Sequence, residues 1–503
     1  MFSFERRQVS KGNPVTVGDV AHAVKGTLTG DKVAQVFDVT HDSRQVRPGS
    51  LFVAVQGLTI DGNQFITQAI ERGAICVVSD QDPPETFKGA WIKVADARHA
   101  LALSAAEVHR HPSRDLRLVG ITGTNGKTTT AYIVSDIARA AGVPGAMLTT
   151  VESQIGEVRE KAERTTPEAS DTQRFLRQAV ESGCNIAVME CSSQALDLNR
   201  CHGLQIDIAV FTNLTRDHLD YHLTMENYYA AKLCLFDGTV GEVPRVSTIN
   251  VDDPYGIKLA DMLESGGNRV LRYALDNAAD VRAHDIEITL EGMQFELETA
   301  MGKRTFTSPL VGRPHVYNIL AAVAAGLELG FELDDIVNGV RICTGAPGRF
   351  ERISHPGDFA VVVDYAHTDD ALLNVLRTAR EVATSRIITV FGCGGDRDNS
   401  KRAPMGEAAA SLSDLVILTS DNPRTEDPLA ILADAEVGLH GVGKPYQKIA
   451  DRREAIFTAI AEARTGDVVI IAGKGHEDYQ IIGKEVFPFD DRKVAREALQ
   501  AKQ

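Results

Sequence analysis

The sequence predicts an α/β protein of several domains built on parallel sheets. Three observations support this. The chain has 503 residues, more than one hydrophobic core organises, so about two to four domains are expected. Apolar runs of strand length alternate with helix-period segments, the pattern of βαβ units. Several of those runs end in polar or charged residues, which is where ligands bind in open α/β sheets.

Composition narrows the function classes. Hydrophobic residues are 43%, charged residues 24%, and the net charge is −16, an ordinary globular mixture on the acidic side. An acidic surface repels phosphate backbones and argues against a nucleic-acid partner, yet leaves room for basic pockets around small phosphorylated molecules. The seven cysteines include no C-x-x-C pair, so neither a disulfide framework nor a zinc knuckle is signalled and a cytoplasmic setting is expected. The opening MFSFERRQVS lacks the apolar stretch of a signal peptide. No run approaches the about 18 apolar residues of a membrane span.

Residues 1–114 read as short strands and helices between turn clusters, with LFVAVQG as a β-rich run ended by Gly57. His111-Pro112-Ser113-Arg114 reads as a linker, because proline disfavours helix in the residue before it. LRLVGITGTNGKTTTAYIVSDIARAAG, residues 116–142, reads as strand, glycine loop, helix and glycine stop. NIAVMECSS and DIAVFTN follow as buried strands. A second break falls at TGAPGRFE, residues 344–351. Beyond it FAVVVDYAH, RIITVFGCGGDRD, LVILTSDNPR and DVVIIAGKGHEDYQ are four apolar strands with polar ends. The breaks divide the chain into 1–114, 115–345 and 346–503.

The strongest local signal is GTNGKTTT. Gly123 and Gly126 let the backbone approach phosphates, and the N–H groups at a helix start attract negative charge. Lys127 is placed for the β- and γ-phosphates, and Thr128 offers a hydroxyl to Mg²⁺. Ile121 occupies the first glycine position of the general pattern. Glu190, ending a strand, suits a Mg²⁺ ligand. NLTRDHLDYHLTMENYYAAK packs Asp217, His218, Asp220 and His222 together without the spacing or cysteine partners of a dedicated zinc site. Taken singly, Glu190 equally reads as a capping acid, Lys232 as a solvated helix lysine, Asn318 as a residue near a cap and Arg349 as an ordinary ion-pair partner.

In order, GTNGKTT, the strand-end Glu190, DHLDYH, Lys232, HVYNILAA, APGR, DYAH, GGDRD, DNPR and AGKGHE resemble the Mur ligase family, ATP-dependent amide ligases of peptidoglycan precursor synthesis. HDSRQVRPGSLFVAVQG near the start extends the resemblance to nearly the whole chain. It implies three domains: an N-terminal α/β domain for a uridine nucleotide, a central P-loop-type ATPase domain with a parallel sheet, and a C-terminal Rossmann-like domain for an amino acid. It implies the joining of meso-diaminopimelate to UDP-N-acetylmuramoyl-L-alanyl-D-glutamate, with ATP as co-substrate and Mg²⁺ as cofactor. Small-molecule partners, a monomer and a cytoplasmic location complete the expectation.

Matching positions carry the implied roles. His41, Ser43, Leu58, Thr59 and Ile60 lie in the uridine segment, and Thr165, Thr166, Ser192 and Arg200 match muramoyl-dipeptide contacts. Leu198 stands where some relatives carry a polar contact. Gly123, Thr124, Asn125, Gly126, Lys127, Thr128 and Thr129 match the ATP loop, and Asn318, Arg349 and Asp364 further nucleotide contacts. Thr128, Glu190 and His218 match the metal region, and Lys232 a lysine carbamylated in relatives. Lys127, Glu190, His218 and Lys232 form the implied catalytic set. Arg397, Asp421, Asn422, Pro423, Arg424, Gly473 and Glu477 match the amino-acid pocket. There the arginines suit the far carboxylate of diaminopimelate as a fork, and Asp421 and Glu477 suit its far ammonium. Two other readings remain: a folylpolyglutamate-synthase-like ligase, against which the first domain and DNPR speak, and a non-catalytic nucleotide-binding partner of cell-wall enzymes.

Overall fold

Strand-length apolar runs bounded by glycine and polar turns fold into sheets flanked by helices. The computed structural model describes residues 14–57, 60–85 and 87–502. Leu58 and Thr59 of the uridine segment lie outside the described residues. The chain forms two units. One gathers the residues up to Leu214, Tyr221–Asp280 and Ala321–Gly339; the other gathers Thr215–Asp220, Val281–Leu320 and the chain from Val340.

The first unit contains two sheets. The N-terminal sheet has the order Thr27–Thr29, Ala90–Lys93, Cys76–Ser79, Ser50–Val53, Asp38–Thr40, parallel except for its first pair. LFVAVQG supplies most of Ser50–Val53, whose four residues are all buried, as expected of a strand covered on both faces. The segment read as a linker forms a packed 3₁₀ turn, Pro112–Arg114, with Pro112 and Ser113 buried. Proline suits the first position of such a turn, and Ser113 Oγ accepts a hydrogen bond from the Gln205 amide at 2.9 Å.

In the second sheet, Val270–Ala274, Val246–Asn250, Ile208–Phe211, Arg117–Thr122, Ile186–Glu190 and Gly145–Leu148 lie side by side and parallel. Glu152–Ile155 and Val158–Lys161 extend it antiparallel, because the two-residue turn at Gly156, with φ +57°, is too short for a crossover. Glu190 pairs with Ile121, and Phe211 with Thr122. Three neighbouring strands therefore end level, and whatever follows them shares one edge.

The second unit departs from the parallel expectation in one place. Val281–Thr289, Gly292–Thr299 and Gly302–Ser308 form an antiparallel meander, joined by two-residue turns. The Rossmann-like sheet of this unit has the order Glu351–Arg352, Ala360–Asp364, Val468–Ala472, Ile387–Phe391, Leu415–Leu418, Tyr446–Lys448. Only its first pair is antiparallel. The four apolar runs read from the sequence form its four central strands, and their carboxyl ends carry DYAH, GGDRD, DNPR and GKGHE. Beneath two of these ends Arg452 is fully buried. It forms a bidentate pair with Asp491 at 2.8 and 2.6 Å and donates to the Ala472 carbonyl at 2.9 Å.

Breaking a buried ion pair from one side strands the other charge. Asp491→Ala is therefore expected to lower stability by about 3–5 kcal/mol, seen as a reduced urea midpoint. An unchanged midpoint would contradict this account of the pair.

Candidate active site

The phosphate loop connects Arg117–Thr122 to the helix Lys127–Ala140. Gly123 has φ +149°, and a Cβ there would lie 1.8 Å from Thr212 Oγ1, so only glycine fits. The strand-end residues Thr212 and Asn213 cradle the loop. The Thr124 amide donates to Asn213 O at 2.9 Å, the Asn125 amide donates to Asn213 Oδ1 at 2.9 Å, and Thr212 Oγ1 donates to Asn125 O at 2.6 Å. Gly126, left-handed at φ +88°, precedes the helix, which has no side-chain cap at its N-terminus. Lys127 Nζ curls back to the Gly123 and Thr124 carbonyls at 2.9 and 2.8 Å. Thr129 is buried in the first turn.

Glu190 ends its strand with only 1% exposure. Its Oε1 accepts from Thr128 Oγ1 at 2.8 Å, the Thr150 amide at 2.8 Å and Thr150 Oγ1 at 3.2 Å. Thr150 Oγ1 also reaches Thr165 Oγ1 at 3.1 Å. A carboxylate and a hydroxyl beside a phosphate loop form a hard-oxygen donor set, which fits Mg²⁺ with water and substrate oxygens completing its sphere. Among the described residues no cluster of three or more His, Cys, Asp or Glu side chains forms a protein-only metal cage. His218 lies in the segment Thr215–Asp220 of the other unit. It is left-handed at φ +53°, and its ring is 3.4 Å from Asp217.

Lys232 is not the solvated helix lysine of the simpler reading. It is 1% exposed, donates to the Gly123 carbonyl at 2.9 Å and lies 4.5 Å over the Tyr228 ring. Lys127 and Lys232 thus share one carbonyl oxygen. A carbamate on Lys232 would replace that donor with an anion and release the Gly123 contact.

The residues matched to the dipeptide gather behind Glu190. Thr166 Oγ1 donates to the Glu190 carbonyl at 2.8 Å, and the Ser192 amide donates to Thr166 Oγ1 at 3.1 Å. Arg200 donates to the Thr166 carbonyl at 3.2 Å and pairs with Glu168 at 3.0 Å. Arg98 and Arg164 reach the same Glu168 at 3.4 and 2.9 Å. Three guanidiniums on one carboxylate leave a positive surplus that suits an anionic substrate. In the uridine segment, Ser43 is buried and donates to Gln68 Oε1 at 2.6 Å. His41 Nδ1 is buried without a hydrogen-bond partner, and Ile60 is exposed.

In the second unit, Asp364 accepts from the Phe350 and Ala366 amides at 2.6 and 2.7 Å. Burial raises its carboxyl above the usual range, with Arg349 opposing. Arg349 stacks on Tyr365 at 4.6 Å, and its Nε is buried without a partner. Asn318 is buried in the helix Arg313–Leu329. A Cβ on Gly348, of APGR, would lie 2.1 Å from the Gly475 carbonyl carbon, so APGR and GKGHE touch backbone to backbone.

The loops matched to the amino-acid pocket are held by several contacts. Arg424, left-handed at φ +52°, is held by Arg424 N–H to Ile481 O at 3.1 Å and Gly483 N–H to Arg424 O at 2.7 Å. Its NH1 donates to the Gly395 carbonyl at 2.7 Å. Arg397 is exposed, and Gly394 separates the two: its Cβ would stand 3.1 Å from Arg424 NH1 and 3.8 Å from Arg397 Cγ. Pro423 is buried, with its carbonyl against Gly395. Asp421 and Asn422 are buried, and Asn422 Nδ2 donates to Glu477 Oε2 at 2.9 Å. A Cβ on Gly473 would lie 2.6 Å from Asp421 Oδ2. Sequence reasoning missed Thr150, Thr212, Asn213, Arg98, Arg164 and Lys474. Only the last carried a local signal, its place inside GKGHE.

Sequence models of the Mur ligase family match in three segments. The family's catalytic domain covers residues 36–109, its middle domain 121–326 and its glutamate ligase domain 348–475. A UDP-N-acetylmuramoyl-L-alanyl-D-glutamate–2,6-diaminopimelate ligase of Solibacter usitatus (strain Ellin6076) is 48% identical over 465 residues, 92% of this chain and 94% of the relative. The same-named protein of Geobacter metallireducens is 45% identical over 495 residues, 94% and 96% of the two chains. A solved structure of a ligase of that name superposes with a TM-score of 0.71 at 34% identity, covering 97% of this chain and 99% of the other. No helix among the described residues is long and apolar enough to cross a membrane. With its three-domain architecture, its phosphate loop and its Rossmann-like C-terminal sheet, the chain belongs to the Mur ligase family of ATP-dependent ligases.

Proposed function

We propose that the chain joins meso-diaminopimelate to UDP-N-acetylmuramoyl-L-alanyl-D-glutamate in peptidoglycan precursor synthesis, using ATP and an acyl-phosphate intermediate. Residues 1–114 take the uridine nucleotide, 115–345 take ATP and Mg²⁺, and 346–503 take the amino acid. The observation that carries this reading is that one chain holds both a phosphate loop backed by Glu190 and a loop that carries Arg424 and ties Glu477 to Asn422. The reading is of a cytoplasmic monomer with small-molecule partners, and the net charge of −16 supports the absence of nucleic acid among them.

A carboxylate is a poor acyl donor until its oxygen becomes part of a leaving group. The D-glutamyl γ-carboxylate attacks the γ-phosphorus of ATP, and ADP leaves. An amine of diaminopimelate then attacks the acyl carbon, and phosphate departs with the former carboxylate oxygen. Such transfers depend on positioning and charge neutralisation. Loop amides and Lys127 hold the phosphates, and Thr128 and Glu190 would hold Mg²⁺, which when bound adds positive charge at the transferring group. Arg98, Arg164 and Arg200 surround Glu168 with positive charge that suits the substrate's free carboxylate. Asp364 and Arg349 are assigned to the nucleotide, with Asn318, and His218 to the metal region.

Lys232 is read as the carbamylated lysine, a change that converts a buried cation into an oxygen donor. Lys232→Ala should lose most turnover and recover part of it with a short carboxylic acid in the assay. A fully active Ala variant would refute the role.

Selectivity tests the function. L-Lysine supplies the far ammonium but no far carboxylate, so it leaves Arg424 and Arg397 without their anion. Discrimination against an analogue that leaves a site's polar groups unpaired reaches about 10⁴-fold in a dry pocket and less in a wet one. Wild-type kcat/KM should favour meso-diaminopimelate strongly. Arg424→Ala should cost about 2–5 kcal/mol of that preference, with the KM values for ATP and the dipeptide little changed. Arg424→Lys should recover only part, since a point charge does not reproduce the planar fork. Equal use of the two amino acids by the wild type would overturn the reading.

A further inference from the structure

The amino-acid loop contains a buried cation to which the mechanism assigns no part. Lys474 follows the strand Val468–Ala472 and is fully buried. Its Nζ donates to Asn422 Oδ1 at 2.9 Å and to the Tyr479 carbonyl at 3.0 Å, and it lies 3.4 Å from Asp421 Oδ1 and 3.8 Å from Glu477 Oε2. An ammonium has three donors and no acceptor, and Asn422, Tyr479 and Asp421 account for all three. The Ile481 amide also donates to Asn422 Oδ1, at 3.0 Å. With its oxygen taken by two donors, the Asn422 amide presents Nδ2 to Glu477 Oε2.

The network treats its two acids differently. Burial pushes the Asp421 carboxyl up, but Lys474, then Arg452 and His367, outweigh it and hold the group below the usual range. Glu477 stands above its usual range, raised by burial and then by the charge of Asp421, with Lys474, Asn422 and Arg424 opposing. Lys474 lies closer to Asp421, at 3.4 Å, than to Glu477, at 3.8 Å, and the Glu477 oxygen it faces is also tied to the Asn422 amide.

We propose, resting on the functional reading above, that Lys474 is a positioning residue for the far end of the amino acid. It takes Asp421 as its counter-ion and fixes the Asn422 amide. Glu477 is thereby reserved as the carboxylate that receives the incoming ammonium. The match is then one charge to one charge, and Asp421, first read as a second ammonium partner, acts through Lys474.

A double-mutant cycle separates this role from direct binding by Asp421. The variants are Asp421→Asn, Lys474→Met and the two together, assayed for kcat and for KM of each substrate. Each single change should raise KM for meso-diaminopimelate about tenfold or more. Asp421→Asn leaves Lys474 without its anion beside an incoming ammonium, and Lys474→Met leaves two buried acids competing for one charge. The double variant removes both charges while the Ile481 amide still fixes Asn422 Oδ1, so it should return KM to within about threefold of wild type, with kcat and the KM values for ATP and the dipeptide within about threefold throughout. A double variant no better than Asp421→Asn would overturn the proposal, because Asp421 itself would then be the ammonium partner. If Lys474→Met does not fold, Lys474→Gln takes its place in the cycle. A wild type that prefers L-lysine would overturn the functional reading alone, since lysine presents the same far ammonium and the cycle can be read with it.

Discussion

The arrangement around the phosphate loop depends on one buried carboxylate. Glu190 is removed from water at a strand end, a costly place for a charge without partners. Three hydrogen bonds from Thr128 and Thr150 offset that cost. The same bonds tie the first turn of the phosphate-loop helix and the segment after Gly145–Leu148 to the central strands. Its backbone carbonyl holds Thr166, which in turn positions the Ser192 amide and the Arg200 guanidinium. The segments around Glu190 are thus aligned by both ends of a single residue.

The second unit uses the same device with cations. Arg452 joins Asp491 beneath two strand ends, and Lys474 joins Asp421 beside them. Arg402, 2% exposed, reaches both oxygens of Glu426 at 2.8 and 2.9 Å and Asp434 at 2.9 Å, while Glu426 Oε1 accepts the Asp396 amide at 2.6 Å. That chain of contacts steadies the loop carrying Arg397, through the Asp396 amide. Loops built on buried ion pairs have few alternative arrangements, which suits a site that must orient a small amino acid with charges at both ends.

What was legible in the sequence was local. The glycine loop, Lys127 and Thr128 form one contiguous pattern with a chemical reason for each residue. The strand runs ending in Glu190, Asp364 and DNPR announce themselves by an apolar stretch followed by a charge. Partners distant in sequence left no such mark. Thr150 meets Glu190 across 40 residues, and Lys474 meets Asn422 across 52; either residue alone reads as an ordinary polar loop position. Lys232 shows the same limit, since helix spacing does not reveal that its amine is buried against Gly123. The antiparallel meander over 281–308 leaves little mark in the sequence, because its two-residue turns, Leu290-Glu291 and Ala300-Met301, lack the Asn-Gly or Asp-Gly pair that signals a hairpin.

The central claim is that this arrangement activates a carboxylate by moving phosphate onto it. The direct measurement places a heavy oxygen isotope in the D-glutamyl γ-carboxylate of the UDP-linked dipeptide and follows it through turnover with meso-diaminopimelate and ATP. The account predicts that the released phosphate carries one labelled oxygen for each amide bond formed. Phosphate free of label, with amide still formed, would contradict it.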